Sequence, residues 1–276
     1  MPPYISIPFA LLVFFFILYV FSLVPRRRRA APQAFMGYHY AHRGLHNREL
    51  PENSLAAFSA AAEAGYGIEL DVQLSRDGVA MVFHDATLAR VCGKEGKVCD
   101  YTAEELQAMP LCGNAAHTIP TLAAVLAEVN GRVPLLVEIK GYRTVAPVCE
   151  AAAALLDEYK GAYMVESFTP YAVHWFKKNR PAVVRGQLSS HLFVKGKRSI
   201  GNLIVQSLCC NFIARPDFVA YCYRDRRRLS FRLLRFFYRP YTMAWTVKDE
   251  AGERESAAFH DIIFEGYLPE RKKEKK

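Results

Sequence analysis

The chain has 276 residues, 51% hydrophobic and 23% charged, ordinary globular values that exclude wholesale disorder. Its formal net charge of +9 is concentrated in Arg26–Arg29, in seven arginines between Arg224 and Arg239, and in a terminal RKKEKK. That distribution favours a local membrane or phosphate attraction over a nucleic-acid groove, and no nucleic-acid partner is expected. Seven cysteines, with Cys209 and Cys210 adjacent and no CxxC, speak against a disulfide framework and for a reducing compartment.

In chain order, the first element is an uncharged run, Tyr4 to Val24, followed at once by PRRRR. As a helix it would rise roughly 31 Å, enough to cross a hydrocarbon core. A secretory signal would carry its positive charge before the apolar run, so residues 1–24 read as a single-pass anchor in the cell membrane. The arginines place the N-terminus outside and the rest of the chain in the cytoplasm. Residues 25–37 read as a basic tether. Strand-like runs then alternate with helix-like segments over 38–270. The predicted strands are 38–42, 67–74, 133–140, 163–168, 183–188, 212–215, 241–247 and 261–266. Eight strands alternating with helices is the count of a (β/α)8 TIM barrel, an α/β fold. A Gly-, Cys- and Thr-containing insertion, 85–118, interrupts it after the second strand, and 271–276 form a basic tail. Within the insertion, Cys92, Cys99, Cys112 and His117 match no common zinc spacing and read as unligated thiols.

In such a barrel, chemistry sits at the C-terminal ends of the strands. Those ends carry His42 and Arg43, Glu69 and Asp71, His84 and Asp85, Glu138 and Lys140, and Trp245. Glu69 and Asp71 are two apart on a strand and share a face; Glu138 and Lys140 repeat the arrangement. Three carboxylates in a barrel interior need compensation, and a divalent cation, Ca2+ or Mg2+, supplies it with oxygen ligands. A buried salt-bridge network with Arg43 and Lys140 is the alternative, although three acids against two bases leave it incompletely neutralised. Cation, Arg43 and Lys140 together would make a basin for a phosphate diester. Two strand-end histidines could then supply the base for an attacking hydroxyl and the acid for a leaving alkoxide.

The ordered series HRG, PEN, ELDVQLSRDG, VFHD and VEIK resembles the glycerophosphodiester phosphodiesterases, and the resemblance extends over nearly the whole chain after the tether. It implies a TIM barrel, one divalent cation, and hydrolysis of glycerophosphodiesters to glycerol 3-phosphate and an alcohol. By position, it implies His42 and His84 as the acid/base pair and Glu69, Asp71 and Glu138 as metal ligands. Arg43 would clamp the phosphate and Lys140 would be a second cation near it. Glu52 and Asn53 would orient the metal or His42 without touching substrate. Trp245 is similar in placement to an aromatic that packs on the substrate's glycerol, or is a plain barrel residue. The last strand ends in Phe264-Glu265, where the family commonly has a Thr-Asp-like pair, and no role is carried over to Glu265. Two other activities stay open: lysophospholipase D action on membrane lysolipids, and a non-catalytic membrane-anchored barrel that binds phosphorylated ligands. The Arg-rich stretch 223–240 is either a surface resting on anionic lipid or an outer barrel helix with a solvated basic face.

Overall fold

A computed structural model describes residues 3–26, 35, 37–141, 145–192 and 199–270. The strands are β1 (Tyr40–Ala41), β2 (Gly67–Leu74), β3 (Ala80–Val82), β4 (Pro110–Leu111), β5 (Asn114–Thr118), β6 (Leu135–Ile139), β7 (Tyr163–Ser167), β8 (Arg185–Ser189), β9 (Phe218–Cys222), β10 (Tyr241–Val247) and β11 (Asp261–Phe264). Parallel pairing runs from β2 through β6, β7, β8, β9 and β10 to β11, and β1 closes the ring by pairing with both β11 and β2. Eight parallel strands thus make the expected barrel. β3 is an antiparallel addition to β2, and β4 and β5 form a separate hairpin inside the inserted segment.

Alternation on the strands divides two cores. Ile68, Leu70 and Val72 of β2, with Leu135, Val137 and Ile139 of β6, point outward under the helices and pack with Val125, Val148 and Ala152. Inside the barrel, Tyr40, Leu136, Met164, Phe218, Met243 and Ile263 fill the lower layers. Each such side chain, fully buried, contributes roughly 1.5–3 kcal/mol. Gly186 has no side chain because an added Cβ would sit 2.2 Å from the Phe218 ring. The inserted segment has its own small core, in which Met81 and Phe83 pack with Leu88, Val98, Leu106 and Ile119.

Two expectations are corrected. The run 212–215 is not a strand: Asn211–Ala214 is a short helix, Arg215 turns left-handed with φ 47°, and the strand is Phe218–Cys222. A residue before proline avoids the αR region, so Arg215–Pro216 ends the helix and the strand starts only beyond it. The second correction concerns the anchor. No helix among the described residues is long and apolar enough to cross a membrane, so the single-pass placement and the cytoplasmic assignment that depended on it are not supported. The apolar run does form a helix, Pro3–Ser22, but its end is committed to the barrel. The Tyr19 hydroxyl donates to the Ser207 carbonyl, the Tyr238 hydroxyl donates to the Val20 carbonyl, and Leu23 and Val24 are buried in the protein. Ile7, Phe9 and Leu12 remain exposed on the same helix. The tether beyond Arg26 lies outside the described residues except Phe35 and Gly37, and the tail lies wholly outside them.

The Arg-rich stretch forms a 3-10 turn and the helix Leu229–Phe237. Phe231 and Leu234 are buried, Phe231 stacks on Tyr221 at 4.3 Å, and Arg226 pairs with Glu255. That is the outer-helix geometry, with Leu229, Phe236 and Phe237 left exposed.

Candidate active site

The turn after β1 is built around residues that the backbone itself selects. Gly44 has φ +83°, and a Cβ there would meet the Ala57 backbone at 2.7 Å, so only glycine lets the turn lie against the next helix. Arg43 (φ 58°) and Asn53 (φ 56°) take the left-handed conformation without being glycine. This costs on the order of 1 kcal/mol or more each and tends to be kept where a side chain is needed. Ser54 caps the helix Leu55–Glu63 by accepting from the Ala57 N–H, which fixes the preceding Glu52 and Asn53 against the strand ends.

Above the apolar barrel layers the inward side chains are charged. Asp71 lies opposite Glu138 in register, and Glu138 opposite Glu166. One carboxylate oxygen from each of Glu69, Asp71 and Glu138 lies within 4.8 Å of the others. Lys140 Nζ is 2.9 Å from Asp71 and 2.6 Å from Glu138. Arg43 donates from its backbone N–H to Glu69 at 3.0 Å, from Nη1 to Glu52 at 2.7 Å, and has Nε 3.5 Å from Asp71. Asn53 donates to Asp71 at 2.9 Å.

Burial drives Glu69 and Glu166 well above the usual carboxylate range, reinforced by the neighbouring acids. Burial raises Glu138 to about 7, against the pull of Lys140. Burial also disfavours charge on Asp71, but Lys140, His84 and Arg43 outweigh it and hold Asp71 far below the usual range. Lys140 is held well above its usual value because the two carboxylates overcome its desolvation. Four buried acids therefore stand against Lys140 and the half-buried Arg43, and three of their oxygens converge. This donor set of hard oxygens fits a divalent cation such as Ca2+ or Mg2+.

The two histidines stand in matching environments. His42 Nδ1 is 2.8 Å from Glu265, and His84 Nδ1 is 2.7 Å from Asp85. A carboxylate at Nδ1 keeps the proton there, so Nε2 is the nitrogen that can take up or give a proton. Burial lowers both histidines, against the upward pull of Glu265 on His42 and of Asp71 on His84.

The structure thus brings His42, Arg43, Glu52, Asn53, Glu69, Asp71, His84, Glu138 and Lys140 to one end of the barrel. Trp245 belongs to no part of this hydrogen-bonded network. Its ring packs edge-on against Phe168 at 5.3 Å, and its Nε1 is buried with no hydrogen-bond partner among the described residues.

Three further residues, to which the sequence reading gave no role, join the site. Glu265 accepts from His42 and from Lys248, at 3.0 Å for the latter. The signal for it was the barrel itself, since closure sets the end of the last strand beside the first. Glu166 follows from the alternation of β7. Arg90, within the insertion, grips Glu52 with two nitrogens at 2.7 and 2.8 Å and Asp85 through Nε at 2.6 Å. No periodicity points to Arg90.

A closed parallel barrel with a carboxylate cluster and two carboxylate-supported histidines at one end is the arrangement of a hydrolase whose site could take a divalent cation. Residues 42–193 match the model of the glycerophosphoryl diester phosphodiesterase family, and the chain belongs to that family. A glycerophosphodiester phosphodiesterase of Caldanaerobacter subterraneus is 37% identical over 158 residues, covering 54% of this chain. The chain spans less than two thirds of the length of that relative, 65%, and 63% of one from Bacillus subtilis. Among solved structures, the Thermotoga maritima glycerophosphodiester phosphodiesterase matches with TM-score 0.62 and 28% identity, covering 82% of this chain and 94% of the other. An Oleispira antarctica phosphodiesterase in complex with its product sn-glycerol 3-phosphate matches with TM-score 0.68 at 21% identity, over 84% and 94% of the two chains.

Proposed function

We propose that this protein hydrolyses glycerophosphodiesters to glycerol 3-phosphate and an alcohol. The observation that carries the reading is the convergence of Glu69, Asp71 and Glu138 beside two histidines, each held at Nδ1 by a carboxylate. Family membership supports the substrate class.

Glu69, Asp71 and Glu138 would hold one divalent cation. It would supply positive charge to the phosphate and acidify a bound hydroxyl. Arg43, fixed through Glu52, clamps the anion, and Lys140 balances the buried acids beside it. One histidine takes the proton from the glycerol 2-hydroxyl as that oxygen bonds to phosphorus. The other gives a proton to the departing alkoxide as the second P–O ester bond breaks, leaving a cyclic phosphate. Water then opens the ring, with the histidine roles reversed. Glu265 and Asp85 keep the two imidazoles oriented through both halves. Phe168 and Trp245, packed edge-on, would offer an aromatic face to the glycerol carbons.

The test is release of glycerol 3-phosphate by the full chain from glycerophosphocholine, glycerophosphoethanolamine and glycerophosphoglycerol, with Ca2+, Mg2+ or EDTA. Metal-dependent release that His42→Ala abolishes is the expected result. Release only from lysolipids would move the assignment to a lysophospholipase D. No release from either, with phosphorylated ligands still bound, would favour a binding barrel.

A further inference from the structure

At the opposite end of the barrel, where β8 and β9 begin, lies a cavity of 370 Å³ lined by Val24, Pro25, Arg26, Lys177, Arg185 and Arg215. Four of these six described lining residues are cations and none is an acid. Asp217, fully buried, stands behind the cavity, 3.9 Å from Arg26 Nη1 and 3.6 Å from Arg185 Nη1. Among the described residues, one carboxylate stands beside these four cations.

The cations are held in place by the fold. Arg185 is 1% exposed at the first position of β8, and its Nη2 donates to the Arg215 carbonyl at 3.1 Å. Lys177 Nζ donates to the Ile213 carbonyl at 2.9 Å from the last turn of the helix Pro170–Asn179. Arg26 is fixed twice, by its backbone N–H to the Pro216 carbonyl at 2.8 Å and by Nη1 to the Pro181 carbonyl at 2.8 Å. Arg215 takes the left-handed turn that a glycine would adopt more easily, and its guanidinium lies over Phe212 at 5.4 Å and Phe21 at 6.0 Å. Burial, then Arg215 and Arg185, push the Lys177 ammonium below its usual value. Like charges gathered on rigid elements around an open cavity are costly until an anion joins them.

We infer that this cavity is a second, non-catalytic site for a phosphate-class oxyanion, carried either by a small phosphate or phosphate monoester or by a phospholipid headgroup. The guanidinium and ammonium donors match the oxygens of such a group. The exposed Phe212 and Ile213 beside it would rest on apolar material only in the lipid case.

The test is a titration of inorganic phosphate, and separately of sn-glycerol 3-phosphate, into the full chain and into an Arg43→Gln variant that lacks the clamp at the other end. A parallel arm measures sedimentation with phosphatidylglycerol vesicles against phosphatidylcholine vesicles. The discriminating variants are Lys177→Gln and Arg26→Gln, both at half-buried positions, each checked for an unchanged melting profile in phosphate-free buffer. The expected result is one anion site that persists in Arg43→Gln and weakens about tenfold or more in each of the other two variants. Loss in the soluble arm assigns a free phosphate, and loss in the vesicle arm alone assigns a headgroup. Binding unaffected by Lys177→Gln and Arg26→Gln in both arms, or absent from both arms, overturns the inference.

Discussion

The two ends of the barrel carry opposite charge imbalances on the same scaffold. Among the described residues, Glu69, Asp71, Glu138 and Glu166 outnumber Arg43 and Lys140 at the C-terminal end, and Arg26, Lys177, Arg185 and Arg215 outnumber Asp217 at the N-terminal end. A buried imbalance is costly in either sign, so each end names the ion that would relieve it. The difference lies in what stands around the excess. At the acidic end His42, His84 and Arg43 stand beside the cluster, and chemistry is possible. At the basic end no histidine or carboxylate lines the cavity among the described residues, and binding alone is possible.

The largest effect should come from removing a proton carrier or a metal oxygen. His42→Ala and Glu69→Gln should each lower kcat/KM by about 10²–10⁴, measured as glycerol 3-phosphate release at saturating cation. A fall of less than tenfold in either would break the reading of the acidic end.

The next effect is on stability against pH, and its sign differs between acids. Glu138, raised to about 7, and Glu69 and Glu166, raised by burial, contribute stability that is present below the ordinary carboxylate range and lost as pH rises through the folded value. The cation-free protein should therefore lose stability between about pH 5 and pH 8, by a few kcal/mol for a shift of this kind. Ca2+ or Mg2+ at a hundred times its Kd should restore roughly 2.7 kcal/mol, preferentially at the higher pH. Urea midpoints at the two pH values, with EDTA and with cation, check both. Below pH 5 the sign reverses. Asp71, Glu265, Glu52 and Asp85, the last at about 2, lie below the ordinary range, so their stabilisation is lost as pH falls through their folded values.

Smaller, and more informative about position, is Glu265→Gln. Its carboxylate pulls the His42 pKa upward against burial, so its removal should move the His42 limb of the kcat/KM profile to lower pH. The rate itself should fall about 10- to 100-fold. Glu265→Asp, which keeps the charge, should restore part of both. A lower rate with an unmoved pH limb would make Glu265 a packing residue only. Least of all, Arg90→Gln should cost a few-fold in kcat/KM, because Arg90 is half exposed and such pairs are worth at most about 1 kcal/mol in water.

Strands carrying function were the most legible. The β2 and β6 repeats of acid-apolar-acid and acid-apolar-lysine put their charges on one face whatever the surroundings, and Asp71 did come to lie opposite Glu138. The β9 strand was misread because FIAR and FVAYC are both short apolar runs, which periodicity cannot tell apart. Pro216 between them was the available sign. The membrane expectation failed for a different reason: hydropathy counts apolar residues and does not see which of them the protein keeps for itself. Leu23 and Tyr19 look like any other residues of that run until the barrel is present to receive them. Arg90 was invisible because its role depends on where an irregular segment folds back.

The docking of that first helix has a practical side. An apolar leading segment invites trimming before purification, with a cut near residue 30 as the natural choice. Such a cut would take away Leu23, whose carbonyl receives the Asn211 amide, and Arg26, whose N–H holds the Pro216 carbonyl. The shortened chain would present raw hydrophobic surface where β8 and β9 begin, and would aggregate for a reason unrelated to lipid. A trimmed form that keeps Tyr19 onward is the one to carry to the bench.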